Sequence, residues 1–132
     1  MTNRQKDELL LKDLCSRLPY GVKVQYEDGI FTIDYISATY EEVKLNTPDN
    51  YTIDVLEVKP YLFPIESMTE DQKKEYRKVC ELDTEILFKA PFDGTPFPAL
   101  YNSQDWLDAN HFDYRGLIPM GLANNATGLN IY

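Results

Sequence analysis

Four short runs of alternating apolar and polar residues between residues 22 and 58 constrain the fold most strongly. Successive side chains of a strand point to opposite faces, so this alternation predicts strands with one buried face. Turn residues separate the runs, namely Asp28-Gly29 and the segment 47–50. The apolar positions of the runs are Val22, Val24 and Tyr26; Phe31, Ile33 and Tyr35; Val43 and Leu45; and Tyr51, Ile53 and Val55. The pattern predicts a four-stranded antiparallel meander over residues 22–60, either a small SH3-like barrel or an open, curled sheet.

The fourth run changes phase near its end. Leu56 and Val58 are apolar on the parity opposite to Val55, which predicts a bulge or a strand buried on both faces. Pro60 has no amide hydrogen to donate to a neighbouring strand, so we expect it to end the sheet.

Helices are predicted on both sides of this sheet. Within the N-terminal segment 1–21, leucines at three- and four-residue spacing predict an amphipathic helix over residues 3–18, with a capping box at Thr2 and Gln5. A second capping box, at Thr69 and Gln72, predicts a helix over residues 67–82.

The last third of the chain has weaker patterns. Residues 83–102 are rich in proline and phenylalanine and predict a loop, although "EILFK" at 85–89 is compatible with a short strand. Short helices are predicted over 103–122 and a frayed tail over 123–132. The chain is thus expected to be one α+β domain of residues 1–132, with an N-terminal helix, the meander and C-terminal helices.

Charge and composition exclude several classes of partner. Lysine and arginine number 13 against 22 acids, a net charge of −9, and direct nucleic-acid binding needs the opposite sign. No apolar stretch approaches the length of a membrane span or a signal peptide, so a cytoplasmic protein is expected. Cys15 and Cys80 have neither disulfide-framework nor metal-site spacing, and both are predicted to be buried free thiols.

The segment "HFDYRGLI" at 111–118 holds the densest chemistry and the only histidine of the chain. One interpretation is structural: Asp113 caps a short helix by accepting from the amides near Arg115 and Gly116, and Arg115 pairs with an acid on the sheet. The other interpretation is functional. In it, His111, Asp113, Tyr114 and Arg115 line a cleft between the sheet and the C-terminal helices and bind a small anion or the tail of a partner. The structural interpretation is favoured, because capping residues are commoner than sites.

A motif scan adds no catalytic or cofactor signature. Phosphate loops, zinc-protease helices, calcium loops and nucleophile elbows do not occur in the sequence. One histidine and two distant cysteines cannot build a typical zinc site. The sequence therefore predicts no catalytic residues, no metal and no cofactor.

Three segments resemble a group of short proteins found in gut Bacteroidetes and in their phages or prophages. They are "LCSRLPYGVKV" (14–24), "VKPYLFPIESMTEDQKKEY" (58–76) and "DWLDANHFDYRGLIPMGLA" (105–123). The group shares the motifs RLPYGVK, KPYLRP, SMTEEEKKEY and FDYRGLI, and Phe63 stands here where the group has arginine. The resemblance implies a cytoplasmic protein of bacterial or phage origin and implies no particular activity.

Three classes of function fit these observations. The favoured one is a protein-interaction or adaptor module with a protein partner, because the sheet is acidic and the chain is rich in tyrosine. The second is an acidic anti-defence or DNA-mimic protein. The third and least favoured is a small enzyme or small-anion binder with a site near His111.

Overall fold

The computed structural model describes residues 1–49, 51–89 and 102–132, with the backbone alone described at 83–89 and 102. Within these residues there are three α-helices: α1 (Asn3–Arg17), α2 (Glu70–Lys89) and α3 (Asn102–Ala109). The strands are β1 (Lys23–Tyr26), β2 (Gly29–Ser37), β3 (Glu42–Leu45), β4 (Ile53–Asp54), β5 (Lys59–Pro64), β6 (Phe112–Asp113) and β7 (Asn124–Asn125). The architecture is therefore α+β with an N-terminal helix, as predicted.

The sheet differs from the predicted four-stranded antiparallel meander. Among the described residues it has seven strands, in the order β4-β3-β2-β1-β5-β6, with β7 also pairing with β5. Strands β1 to β4 pair antiparallel with their sequence neighbours, and β5 pairs antiparallel with β1. Strands β6 and β7 run parallel to β5. The sheet is mixed and open, so the meander of residues 22–60 is only part of it and the closed SH3-like barrel is wrong.

The phase change after Val55 comes from a turn and not from a bulge or a doubly buried strand. Residues Val55–Glu57 form a 3-10 turn, which the Asp54 carboxylate caps by accepting from the Leu56 amide at 2.9 Å. The chain then enters β5, where Pro60 pairs with Val24. The prediction that Pro60 ends the sheet is wrong, because the proline lies near the start of a strand, a position where a missing amide is tolerated.

Helix α1 forms as predicted and covers the main core. The capping box is confirmed: the Thr2 hydroxyl accepts from the Gln5 amide, and the Gln5 side chain accepts from the Thr2 amide. A 3-10 turn and then Gly21, with a φ of 68°, follow the helix. The helix packs its leucines against the sheet in a core of Leu10, Leu14, Val22, Val24, Ile33, Val43, Leu45, Ile53, Val55, Val58, Leu62, Leu117, Leu122 and Ala123. Cys15 is exposed on this helix, so its predicted burial is wrong.

Helix α2 is longer than its predicted range of 67–82. It begins after the predicted capping box, in which Thr69 and Gln72 exchange hydrogen bonds, and it continues to Lys89. The strand considered at 85–89 is therefore wrong, since glutamate, leucine and lysine extend a helix readily. Residues 90–101 of the predicted proline-rich loop lie outside the described residues. Within the described part of the chain, no helix has the length and apolar content needed to cross a bilayer.

The C-terminal region differs most from expectation. Of the short helices predicted over 103–122, only α3 forms, and residues 110–122 make β6 and a series of turns. The predicted tail 123–132 contributes β7 to the sheet. Tyr132 is also held, because its hydroxyl accepts from the Lys23 amide at 2.9 Å and donates to the Tyr61 carbonyl at 2.7 Å. A second apolar cluster of Met68, Leu107 and Phe112 lies under this region.

Candidate functional site

The segment 111–118 distributes its polar side chains among three separate environments. His111 has a φ of 63°, and its carbonyl accepts from the Phe63 amide at 2.8 Å. Its ring is stacked on Tyr132, with centroids 3.6 Å apart and an angle of 13° between the rings. The histidine is therefore a buried packing residue at the start of β6.

Asp113 is a cap, although not of a helix. Its carboxylate oxygens accept from the amides of Leu117 and Ile118, both at 2.9 Å, and the residue is buried. The predicted acceptance from the amides near Arg115 and Gly116 is wrong, because the chain forms turns here and brings later amides to the carboxylate. Both oxygens of Asp113 are thus occupied within the protein.

Arg115 pairs with an acid on α1 and not on the sheet. Its Nη1 donates to Oδ1 of Asp13 at 2.7 Å. The other oxygen of Asp13 accepts from Nε of Arg17 at 2.9 Å, and Arg17 also donates to the Phe112 carbonyl at 2.6 Å. Asp13 and Arg17 are completely buried, so one carboxylate joins two arginines and ties α1 to the C-terminal segment.

Asp108 completes this buried network from α3. Its Oδ1 accepts from the Tyr114 hydroxyl at 2.7 Å and lies 3.9 Å from Nη1 of Arg17. Burial raises the pKa of Asp108, while the Tyr114 hydrogen bond and the two arginines oppose that rise. The Tyr114 ring faces both guanidinium groups, at 5.2 Å from Arg17 and 4.6 Å from Arg115. Two acids and two arginines balance in formal charge, so the network needs no external ion.

The sequence contained a partial signal for this network. Asp13 and Arg17 are four residues apart on a predicted helix, a spacing at which opposite charges meet. Their partners Asp108 and Arg115 are more than ninety positions away, which no local pattern indicates. Of the four candidate residues, His111 stacks on Tyr132, Asp113 accepts from the amides of Leu117 and Ile118, and Tyr114 and Arg115 share the buried network.

We expect His111 to remain uncharged throughout the physiological range. Burial, with smaller contributions from the positive charges of Arg17 and Lys23, lowers its pKa from 6.5 to about 4. Between these pH values the unfolded chain binds a proton at His111 that the folded protein does not bind. The contribution of His111 to the free energy of unfolding is therefore fully present above pH 6.5 and is lost as the pH decreases toward 4. An NMR titration of the single imidazole measures the midpoint directly.

The matched variant for this prediction is His111→Asn. Asparagine tolerates the left-handed backbone and does not titrate. The free energy of unfolding of this variant should decrease less than that of wild type when the pH is lowered from 7 to 5, since the other titrating groups are shared. An imidazole midpoint near 6.5 in the folded protein would contradict the burial of this ring.

A cleft lined by residues from the segments 26–31 and 45–53 was not predicted from the sequence. It lies where the turn between β1 and β2 faces the segment that leads from β3 to β4, and it has a volume of about 290 Å³. Its apolar lining consists of Tyr26, Phe31, Leu45, Tyr51 and Ile53, and its polar lining of Glu27, Asp28, Gly29, Thr47 and Asp49. We call these ten residues the acid-aromatic cleft.

The aromatic wall of the cleft is built by local sequence. The β1–β2 hairpin places Tyr26 opposite Gly29, with Glu27 and Asp28 as the two turn residues. The hairpin is thus confirmed, with its turn one residue earlier than Asp28-Gly29. The ring of Phe31 lies against Gly29, where a Cβ atom would come within 2.6 Å of it, so glycine is required for this ring position. Tyr51 is 57% exposed, which leaves much of its side chain available to a ligand.

The rim of the cleft is negatively charged. Glu27, Asp28 and Asp49 are exposed, and none of the ten described lining residues is basic. The neighbouring Lys44 forms no ion pair with these three acids: its ammonium donates to the carbonyls of Leu45 at 3.1 Å and Thr47 at 3.4 Å and lies 3.8 Å from Asp34. Among the described residues the cleft therefore combines aromatic surface with carboxylates that have no ion-pair partner, an arrangement that attracts organic cations.

No three acidic, histidine or cysteine side chains among residues 1–49, 51–89 and 102–132 are grouped so that they could hold a metal ion. Comparison with protein-family models, with curated proteins and with solved structures finds no match to this chain. The geometry and charge of the acid-aromatic cleft are therefore the features of this chain that bear on its function.

Proposed function

We propose that this chain is a small acidic protein-interaction module that binds a basic segment of a protein partner in the acid-aromatic cleft. The observation that carries the proposal is the combination of three aromatic residues and three exposed acids around one cavity of about 290 Å³. The resemblance to the bacterial and phage group is compatible with such a role.

The energetics favour a cationic side chain as the bound group. A cation over an aromatic face gains about 0.5–1 kcal/mol when exposed and about 2 kcal/mol when desolvated. The three rim acids add attraction that salt screens, since they are exposed to solvent. The net charge of −9 also steers a basic partner toward the protein before contact.

The composition of the cleft fits the binding of a basic peptide better than it fits a DNA mimic or a small enzyme. A DNA mimic presents acids in place of phosphates and has no use for an aromatic wall between them. A small enzyme usually holds its proton-transfer group in an enclosed pocket, whereas the three acids of this lining are exposed to solvent. We therefore place the basic-segment interaction first.

Binding should depend on the exposed aromatic residue of the cleft. A short fluorescein-labelled peptide that alternates arginine and lysine with glycine and serine should bind saturably, as measured by fluorescence anisotropy. We expect Tyr51→Ala to weaken this binding about three- to tenfold, the equivalent of one cation–aromatic contact. The matched control is Tyr40→Ala, because Tyr40 is also exposed (76%) and lies outside the cleft.

Two outcomes would contradict the proposal. The first is the absence of saturable binding by the basic peptide, or equal binding by the same peptide with glutamate in place of its basic residues. The second is an equal loss of affinity in Tyr40→Ala and Tyr51→Ala, which would show that the peptide does not bind in the cleft.

A further inference from the structure

We infer that the side chain that enters the acid-aromatic cleft is an arginine of the partner protein, in preference to lysine. This inference rests on the proposed function and specifies its ligand. It follows from the shape of the wall, the position of the acids, and the way in which this chain already binds its own arginines.

The cleft provides the two kinds of surface that a guanidinium group uses together. Its wall carries the rings of Tyr26, Phe31 and Tyr51, and its rim carries the carboxylates of Glu27 and Asp49. A guanidinium is planar, so one face can stack on a ring while its edge donates paired hydrogen bonds to a carboxylate. The ammonium of lysine is a compact and strongly hydrated charge that stacks poorly and must lose more water to enter.

The protein contains the same arrangement in its interior. Arg17 and Arg115 both lie over the ring of Tyr114 while donating to the carboxylate of Asp13. The ammonium of Lys44, in contrast, is bonded to two backbone carbonyls and approaches no ring at cation–π distance in the described part of the chain. Where this chain places an aromatic face beside a carboxylate in its own interior, arginine is the residue that binds there.

The discriminating experiment uses three peptides that differ at one position. A glycine- and serine-rich peptide carries a single arginine, a single lysine or a single citrulline, which has nearly the shape of arginine without its charge. Affinities are measured by following amide chemical shifts of the protein during titration. We expect the arginine peptide to bind about three- to tenfold more tightly than the lysine peptide and at least about tenfold more tightly than the citrulline peptide.

Two protein variants separate stacking from charge. Tyr51→Leu keeps apolar surface at the wall but removes a ring, so the ratio of arginine to lysine affinity should decrease toward one. Asp49→Asn removes one rim charge and should weaken both basic peptides. A merely structural effect of either variant would reduce both affinities through unfolding, which circular dichroism of the same samples detects.

The outcomes distinguish this inference from the proposed function. Equal or tighter binding of the lysine peptide overturns the preference for arginine and leaves the interaction module intact. Failure of both basic peptides to bind overturns both proposals. Equal binding of citrulline overturns the role of charge. Binding of free arginine as tight as that of the peptide would identify a small-molecule site and overturn the assignment to a protein partner.

Discussion

Asp13→Asn should lower the free energy of unfolding by about 3–5 kcal/mol, because it removes one partner from a buried ion network. Asp13 is completely buried and accepts from Arg17 at 2.9 Å and from Arg115 at 2.7 Å. The substitution preserves size but leaves the buried Arg17 guanidinium with only Asp108 as a nearby acid, at 3.9 Å. Since whole domains are stable by about 5–15 kcal/mol, the loss is a large share of the total. Urea unfolding followed by circular dichroism measures it.

The same helix provides a closely matched control. Arg4 and Glu8 are also four residues apart and form an ion pair at 3.0 Å, with the charges in the reverse order, and both side chains are exposed. Exposed pairs of this kind contribute about 0.3–0.5 kcal/mol, so Glu8→Gln should have little effect. Similar losses for Glu8→Gln and Asp13→Asn would show that burial does not set the strength of the inner network.

Asp113→Ala is expected to cost about 2–4 kcal/mol, because two amides lose their acceptor at once. The carboxylate accepts from Leu117 and Ile118, and the Leu117 bond is buried. Asparagine has one acceptor oxygen in place of two, so Asp113→Asn should lie between wild type and alanine. The midpoint of urea unfolding of the three proteins gives this order.

Asp54 offers the corresponding exposed control. Its carboxylate accepts from a single amide, that of Leu56, at a position open to solvent. Water can replace the lost acceptor there, so Asp54→Ala should cost about 1 kcal/mol. If Asp113→Ala were no more destabilising than Asp54→Ala, the assignment of Asp113 to a structural role would fail.

Local patterns predicted the elements whose signals are contained within a few residues. The capping boxes at Thr2 and Thr69, the hairpin before Gly29 and the buried positions Val24, Ile33 and Val43 depend on neighbours in sequence, and these were recovered. The predicted face of β2 was wrong at its end, because the pairing with β3 shifts after Ile33, so that Tyr35 is exposed and Ile36 packs against the core. The two-residue strands β6 and β7 are too short to show a period. They exist because β5 has free hydrogen-bonding groups along the edge opposite β1, and only the folded chain reveals that edge.

The contacts of the candidate segment 111–118 could not be predicted from the sequence for a related physical reason. The polar residues of "HFDYRGLI" are conspicuous in sequence, but Asp13 and Asp108 approach Arg115 and Tyr114 only after folding and use their bonding capacity. The residues of the acid-aromatic cleft, in contrast, were not conspicuous in the sequence. Tyr26, Phe31 and Tyr51 were predicted as ordinary strand residues, and it is the facing of two turns across the sheet that opens a cavity between them.

The central claim is that the segment 111–118 has a structural role and that the partner binds in the acid-aromatic cleft. In that segment Asp113, Tyr114 and Arg115 are hydrogen-bonded within the protein, whereas the exposed acids Glu27 and Asp28 of the hairpin turn have no cationic partner in the cleft lining. The two regions lie on different parts of the chain, so a single spectroscopic measurement can observe both.

That measurement is a ¹H–¹⁵N correlation spectrum recorded during titration with the single-arginine peptide. We predict that the amide shifts change progressively at residues 26–31, 45–49 and 51–53, with little change at residues 111–118. Shifts concentrated at His111 to Arg115, with the cleft residues unaffected, would contradict the account and return the binding site to that segment.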